Sequence, residues 1–394
     1  MDFRKLEELR PRLDDFLTRF DDCIKTLPSR RHLRTYVNGQ LGPLGRKSVE
    51  PIALEAEVPV RSLQEFLEIH RWDEAKLGAR VREIVMDRHA DPEAVGVIDE
   101  TSFAKKGQKT VGIQRQYCGE TGKIDNCVVT VHLAYASKDF ATIVDGDLFV
   151  PEHTWSNNTD RRRDAGIPEE VTYRPKWRIA LDLLTRSMAD GLRMKWLTAD
   201  EAYGRVGEFR RESAEKGLLY VVEVPCSTRG WTAAITERGG DARRVDALWR
   251  RGGPSWEKYH VKDTEKGPVV WEARAVRFHA REDDGAGDEQ WLIVARNVLA
   301  DEVKYFLSNA PEAMPRETML RVAFTRWTVE HMFHEAKGEV GLRHFEVRRY
   351  KPVMRHLALS MVSLLFLCEE VKRLRGEKPL VEYRAGALRH RRAG

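Results

Sequence analysis

Val95-Gly-Val-Ile-Asp99 is a short apolar run that ends in an acid, the pattern of a buried central strand whose last side chain must reach solvent or a partner. Two further strands are predicted around Thr110–Cys118 and Asn126–Tyr135, and they flank Gly119-Glu-Thr-Gly122 as a hairpin. A helix follows at about Lys176–Gly191, then a second strand that closes on an acid, Lys195-Trp-Leu-Thr-Ala-Asp200. A helix over roughly Val206–Lys216 and the strand Leu218-Leu-Tyr-Val-Val-Glu-Val224 complete the order β-β-β-α-β-α-β. Asp145-Gly-Asp147, downstream of the hairpin, reads as a strand-end turn.

That order is the order of an α/β ribonuclease-H-like core. In it the first and fourth strands lie side by side, so Asp99 and Asp200 are expected as neighbours at one sheet edge. Working outward, residues 1–90 read as helical throughout, with Leu6, Leu9, Leu13, Phe16, Leu17 and Phe20 at three- and four-residue spacing. Two short helices, Ser48–Ala56 and Ser62–Arg71, are separated by the turn Glu57-Val-Pro59, and Ser62-Leu-Gln-Glu65 has the form of a capping box. The pair fits the outline of a DNA-binding helix-turn-helix, although an ordinary helical bundle explains the same pattern more simply. Residues 226–300 break the alternation with strand-like pieces at Glu257–Lys262, Val269–Phe278 and Gln290–Ala295, a β-rich insertion. Helices return at Pro315–Gly338 and Val353–Arg373. The expected organisation is therefore a helical, DNA-binding region (1–90), the first part of the core (91–225), the β-rich insertion (226–300), the core's C-terminal helices (301–375) and a basic tail (376–394).

Composition excludes more than it establishes. The 394 residues carry 67 Lys and Arg against 62 Asp and Glu, a net charge of +5 too small to demonstrate a nucleic-acid partner. Mean hydropathy is −0.52, and no uninterrupted apolar run reaches the ~18 residues of a membrane span, so no membrane partner is expected. The charged amphipathic start carries no secretory signal, and five cysteines without C-x-x-C spacing fit a reducing, cytoplasmic location.

Three acids stand out by position: Asp99, Asp200 and Glu330 in the helix after the insertion. Clustered carboxylates repel unless cations neutralise them, and oxygen-only ligands suit hard divalent ions. Two such ions, about 4 Å apart, can activate an attacking oxygen and stabilise the leaving one at phosphorus. The helix reads Arg326-Trp-Thr-Val-Glu330-His-Met-Phe-His-Glu-Ala-Lys337. At 100° per residue, Arg326 lies about 40° from Glu330 and about 20° from Lys337, so two cations flank one carboxylate, while Phe324, Met332, Phe333 and Ala336 face inward. A surface Arg–Glu pair at i, i+4 would give part of the same pattern.

In these residues the sequence resembles the DDE transposases of bacterial insertion sequences, in particular a subgroup with a Y-R-E-K signature and a β-rich insertion before its final Glu. Arg326-x3-Glu330-x6-Lys337 matches the R-x3-E-x6-K portion; the signature tyrosine would fall at Ala323, beside Phe324. Gly-Val-Ile-Asp99-Glu-Thr-Ser and Leu-Thr-Ala-Asp200-Glu-Ala-Tyr-Gly look like the motifs around the first two aspartates. The resemblance, spanning about Val95 to Tyr350, implies that Asp99, Asp200 and Glu330 bind two Mg2+ ions (Mn2+ substituting) and catalyse both DNA cleavage and strand transfer. It further implies double-stranded DNA as partner, with transposon ends and target held by a homodimer, and Arg326 and Lys337 on DNA phosphates. Two other classes fit the same residues: a non-catalytic DNA-binding protein derived from a transposase, and a ribonuclease-H-fold nuclease without strand transfer.

Other residues compete for roles. Glu335 lies five residues from Glu330, about 140° away, so both cannot face one site. Asp145 or Asp147 could supply a metal ligand, and His331 and His334 match no zinc motif. Five of the ten tryptophans (Trp231, Trp249, Trp256, Trp271, Trp291) fall in the insertion, as its core or as a stacking platform for a flipped base. Among basic residues, Lys105, Lys106 and Lys109 are best placed to meet a phosphate, ahead of Arg161–Arg163, Arg348–Lys351 and Arg389–Arg392.

Overall fold

The computed structural model describes residues 9–375 except 237–238, 249–254, 265–266, 284 and 301; the side chains of 261–264, 267, 268 and 331 are also outside the description. The basic tail 376–394, with Arg389–Arg392, lies outside the described residues. In chain order the elements are α1 (Leu9–Thr18), α2 (Leu27–Leu41), α3 (Val49–Glu55), α4 (Val60–Glu68), α5 (Glu74–His89), β1 (Val95–Ala104), β2 (Gln114–Cys118), β3 (Lys123–Ala136) and β4 (Ala141–Leu148). Then come α6 (Thr159–Ala165), α7 (Lys176–Ala189), β5 (Trp196–Ala199), α8 (Glu201–Gly204), α9 (Gly207–Glu215), β6 (Leu219–Val224), β7 (Arg229–Trp231), α10 (Ala233–Thr236) and β8 (Arg243–Arg244). The last are β9 (Glu257–Thr264), β10 (Gly267–Glu282), β11 (Gly285–Asn297), β12 (Val303–Ser308), α11 (Arg316–Gly338) and α12 (Tyr350–Arg375). The mixed α/β class is the one the sequence predicts.

The chain divides into two compact units. The first comprises Met1–Ser137, Ala141–Met194 and Val329–Leu374. Its strands form an antiparallel meander in which β3 is central: β1 pairs along one edge of β3, while β2 and β4 share the other. The sequence reading stopped β1 at Asp99, but pairing continues to Ala104 opposite Cys127, because Thr101, Ser102 and Phe103 keep the strand buried. Asp99 therefore sits mid-strand. A second correction concerns Asp145-Gly-Asp147, which is no turn: it lies in β4, every residue of which is buried. The core meander is thus β1-β3-β4, and β2 is an additional edge strand.

The sequence hid β4 because it carries two acids, and both are buried as one network. Asp145 accepts from Arg186 Nε and Nη2 at 2.7 Å each and from Ser187 Oγ at 2.9 Å, with Arg82 Nη1 at 3.3 Å. Asp147 meets Arg174 at 3.0 Å. Between them Gly146 leaves room for a ring: a Cβ there would come within 2.5 Å of His132 Nδ1.

Helices α1–α5 pack in this unit with α12, which is long and apolar enough to cross a membrane by length and composition. Here it is a core helix, 78% of the apolar stretch being buried in the protein. Its polar positions are met from α2: Tyr36 Oη and His356 Nδ1 lie 2.9 Å apart, and Gln40 bridges Ser360 and Ser363 at 2.8 Å each. The expected capping box at Ser62 does not form. Pro59, with φ −58°, fixes the start of α4 at Val60, and Glu65 pairs with Arg61 at 2.7 Å instead.

The second unit comprises Lys138–Phe140 and Lys195–Thr328, with Arg375 onward. Parallel β5 and β6 open it, in register from Trp196–Leu219 to Ala199–Val222. β12 then pairs antiparallel with β6, and the sheet continues through β11, β10, β7 and β8, with β9 on β10. The insertion is thus an extension of the β6 edge, built through β12, a strand absent from the sequence reading. Val224, Val245, Phe278, Ala280, Leu292, Val294 and Leu307 form its core.

Candidate active site

In the first unit the site begins with cross-strand geometry. Asp99 is directly opposite His132, and directly opposed residues share a face of the sheet. That face meets α11, where the His132 and Phe333 rings are 5.4 Å apart. The alternate residue, Glu100, serves the other face and pairs with Lys176 of α7 at 2.8 Å. Burial pushes the His132 ring down to about 3, helped by the Lys337 charge, so the imidazole is neutral. Burial also lowers Lys337, while Glu120 and Asp99 act in the opposite sense and favour its ammonium. Lys337 thus stands in the field of Asp99. Glu330 is two helical turns earlier on α11, exposed, and only about 20° around the axis from Lys337. Phe324, Met332, Phe333 and Ala336 are buried as expected. Glu335 is a neighbour of Cys368 on α12, whose thiol is pushed up to about 12 by burial.

In the second unit Asp200 follows β5 and caps α8, accepting from Ala202 N at 2.9 Å and Tyr203 N at 3.4 Å. The parallel register places it level with Glu223 at the carboxyl ends of β5 and β6, where open α/β sheets hold their ligands. α8 can lie this close to β6 because of Gly204, whose Cβ would stand 2.0 Å from the Glu223 carbonyl oxygen. Glu223 was not singled out in the sequence, where it is one residue of an apolar strand. In the structure it collects Lys304 at 2.8 Å and Arg326 at 3.7 Å. Arg326 is thereby anchored at the level of Asp200, its side chain only 16% exposed.

The signature position departs as expected: Ala323 is buried, and Phe324 packs against Trp271, Trp327 and Phe306. Lys105 requires a correction, since it is turned inward. Its Nζ donates to the carbonyls of Arg343 and Phe345 at 3.0 and 2.6 Å, lies 3.6 Å from the Phe345 ring centre, and is pulled down to about 8 by burial. Lys106 and Lys109 remain exposed. Arg161 and Arg162 are likewise bound to main-chain carbonyls. Of the insertion tryptophans, Trp271 is core, Trp291 is buried, Trp231 donates to Gly240 O at 3.0 Å, and Trp249 lies outside the described residues. Both Arg274 and Arg296 stack on Trp256, at 4.1 and 4.3 Å. His334 is exposed; the side chain of His331 is outside the description.

Among the described residues, no three His, Cys, Asp or Glu side chains stand together as a ready-made metal site. The donors themselves, Asp99 and Glu330 in one unit and Asp200 in the other, are carboxylate oxygens, a chemistry that fits hard divalent cations.

The family model described as DDE superfamily endonuclease matches residues 19–281, about two thirds of the chain, taking in Asp99 and Asp200. A curated relative is the probable transposase for insertion sequence element IS701 from Microchaete diplosiphon, 26% identical over 323 residues, covering 80% of this chain and 76% of that protein. Among solved structures, the piggyBac transposase in a synaptic complex with hairpin DNA aligns with a TM-score of 0.44 and 11% identity, over 89% of this chain and 68% of that one. By the extent of the family match, the chain belongs to the DDE superfamily of endonucleases.

Proposed function

We propose that this enzyme is an insertion-sequence DNA transposase, and that Asp99, Asp200 and Glu330 are its three catalytic carboxylates. Asp99 carries the reading: it is held mid-strand by ten residue pairs with β3, it faces α11, and it shares Lys337 with the face bearing Glu330. Divalent ions, two Mg2+ or Mn2+, would be held by those carboxylates and would supply Lewis-acid activation of the attacking and leaving oxygens. The chain's own part is positioning. Lys337 neutralises charge beside Asp99 and meets the DNA phosphate, and Arg326, braced by Glu223, does so at the level of Asp200. In the first reaction water attacks the phosphorus at the element's end, the P–O3′ bond breaks, and a 3′-OH is freed. In the second that hydroxyl attacks a phosphorus of target DNA and displaces the target's own 3′ oxygen. The substrate is double-stranded DNA, the acting species a homodimer pairing two ends, and the place of action the cytoplasmic DNA.

Asp99→Asn, Asp200→Asn and Glu330→Gln each should abolish cleavage of the element's own ends in Mg2+ while DNA binding survives. Asparagine is chosen at Asp200 because it still caps α8. Nicking retained in all three variants would refute the site. Labelled 3′ ends that are cut but never joined to a target plasmid would reduce the enzyme to a nuclease.

A further inference from the structure

Beyond the carboxylates, one hairpin of the first unit leaves an apolar pair and several cations in water. β3 forms its ladder with β1 only from Cys127 onward, so Lys123–Asn126 pair in register with β2, and the turn of the β2–β3 hairpin curls back to β1, where Glu120 N donates to Ser102 Oγ at 3.3 Å. Gly122 turns it at φ +67°. The turn's acid is consumed internally: Glu120 accepts from Ala104 N at 2.8 Å and pairs with Arg343 at 3.1 Å. On the outer face Tyr117 stands directly opposite Ile124, and both are left in water, 63% and 61% exposed. Arg115 and Asn126 are the next pair on that face. Asn126 Nδ2 donates to the carbonyls of Lys105 and Gly107 at 2.9 and 2.6 Å, which pins the loop bearing Lys106 and Lys109 beside the hairpin. Lys106, Lys109, Arg115 and Lys123 are all exposed, and among the described residues none of them has an ion-pair partner. The neighbouring acid, Asp125, sits with Gln116 on the opposite face and accepts from the Asn126 amide at 2.8 Å.

We propose that the β2–β3 hairpin is a DNA-gripping finger: Lys106, Lys109 and Arg115 hold phosphates of the duplex, and the Tyr117–Ile124 pair lies against base edges in its minor groove. This rests on the reading of Asp99 as part of the cutting site. The turn of the hairpin lies back against β1, where Glu120 N donates to Ser102 Oγ at 3.3 Å, three residues from Asp99, so the finger meets DNA beside the phosphate at Asp99. Charge selects this occupant. Two copies of the chain meeting along the β2 edge would bring their unpaired cations together, and one exposed Tyr–Ile pair falls far short of the ~800 Å² per partner that a stable protein interface buries. A polyanion needs the cations first and only a small apolar contact, which minor-groove binders supply as a wedge.

The test uses the full chain and a linear duplex carrying the element's end, with binding followed by anisotropy over a salt series and by hydroxyl-radical footprinting. Lys109→Gln with Arg115→Gln should weaken binding about ten-fold at low salt and reduce the salt slope by about two. Tyr117→Ser with Ile124→Ser should weaken it about five-fold and erase minor-groove protection beside the cut. Both variants should keep the wild-type melting curve, since the side chains are exposed. Unchanged affinity and footprint in both would overturn the finger. So would dissociation of a DNA-free oligomer by Tyr117→Ser/Ile124→Ser with DNA affinity intact, which would assign the pair to a second copy. Wild-type protein that binds ends but never cuts them would overturn the transposase reading and leave the finger standing.

Discussion

Asp145→Asn separates an acid that holds the fold from one that performs chemistry. The substitution preserves side-chain volume and removes one charge from a position only 4% exposed. Asp145 is the common acceptor for Arg186 (two bonds of 2.7 Å) and Ser187 (2.9 Å), and Arg82 approaches at 3.3 Å. Removing one partner of a buried ion pair costs about 3–5 kcal/mol, because the remaining charge is stranded. Two features reduce that figure. Arg186 is 41% exposed and can turn to water, and Arg82 keeps its bond to Asp190. The expected loss is therefore about 2–4 kcal/mol. Equilibrium unfolding in guanidinium chloride, followed by far-UV circular dichroism, measures it as a lower midpoint at unchanged slope. Asp99→Asn should change the folding free energy by less than about 0.5 kcal/mol, since Asp99 is only part-buried and asparagine keeps its side-chain volume. If Asp145→Asn left stability intact and abolished cleavage, the argument would fail, and Asp145 would have to be counted among the metal ligands.

Further outcomes follow from the same geometry. Gly204→Ala should destabilise the second unit by roughly 2 kcal/mol or more and lower cleavage at saturating DNA, since its Cβ would be 2.0 Å from the Glu223 carbonyl and α8, which Asp200 caps, must shift. Trp271→Ala should cost about 3–5 kcal/mol by emptying the space against Phe324 and Trp327, measurable by thermal unfolding. His132 and His356 are fully buried and held down to about 3 and about 4, whereas an unfolded histidine takes a proton near 6.5. Below pH 6.5 the unfolded chain binds more protons than the folded one, so this stability is complete above 6.5 and is lost as pH falls towards 4. The loss approaches about 1.4 kcal/mol per pH step for each ring, read as a falling melting temperature that His356→Gln should partly flatten.

The sequence revealed what periodicity encodes: the buried strand leading into Asp99, the β5 strand that Asp200 follows, and the α11 face with Phe333 inward and Glu330 outward. What it concealed has a common cause, the satisfaction of polar groups by distant partners. β4 reads as a turn because Asp145-Gly-Asp147 breaks the apolar pattern, and only Arg82, Arg174 and Arg186, from three other segments, make those acids buriable. Lys105 and Lys106 are adjacent in sequence and opposite in fate: one is folded onto Phe345 and two carbonyls, the other is left in water. Glu223 gains its place only through Lys304 and Arg326. β12 escaped notice because Val303–Ser308 is only six residues long and Lys304 interrupts its apolar run, so it does not stand out before it finds β6 and β11.

The contrast between mid-strand Asp99 and the buried pair in β4 also bears on how copies of such an element age. On the proposed site, a copy that loses Asp99 would still fold and occupy the same DNA ends, and so would compete with its active siblings. A copy that loses Asp145 would have less folded protein with which to compete. The two kinds of acid would thus give damage opposite consequences among related copies of the element.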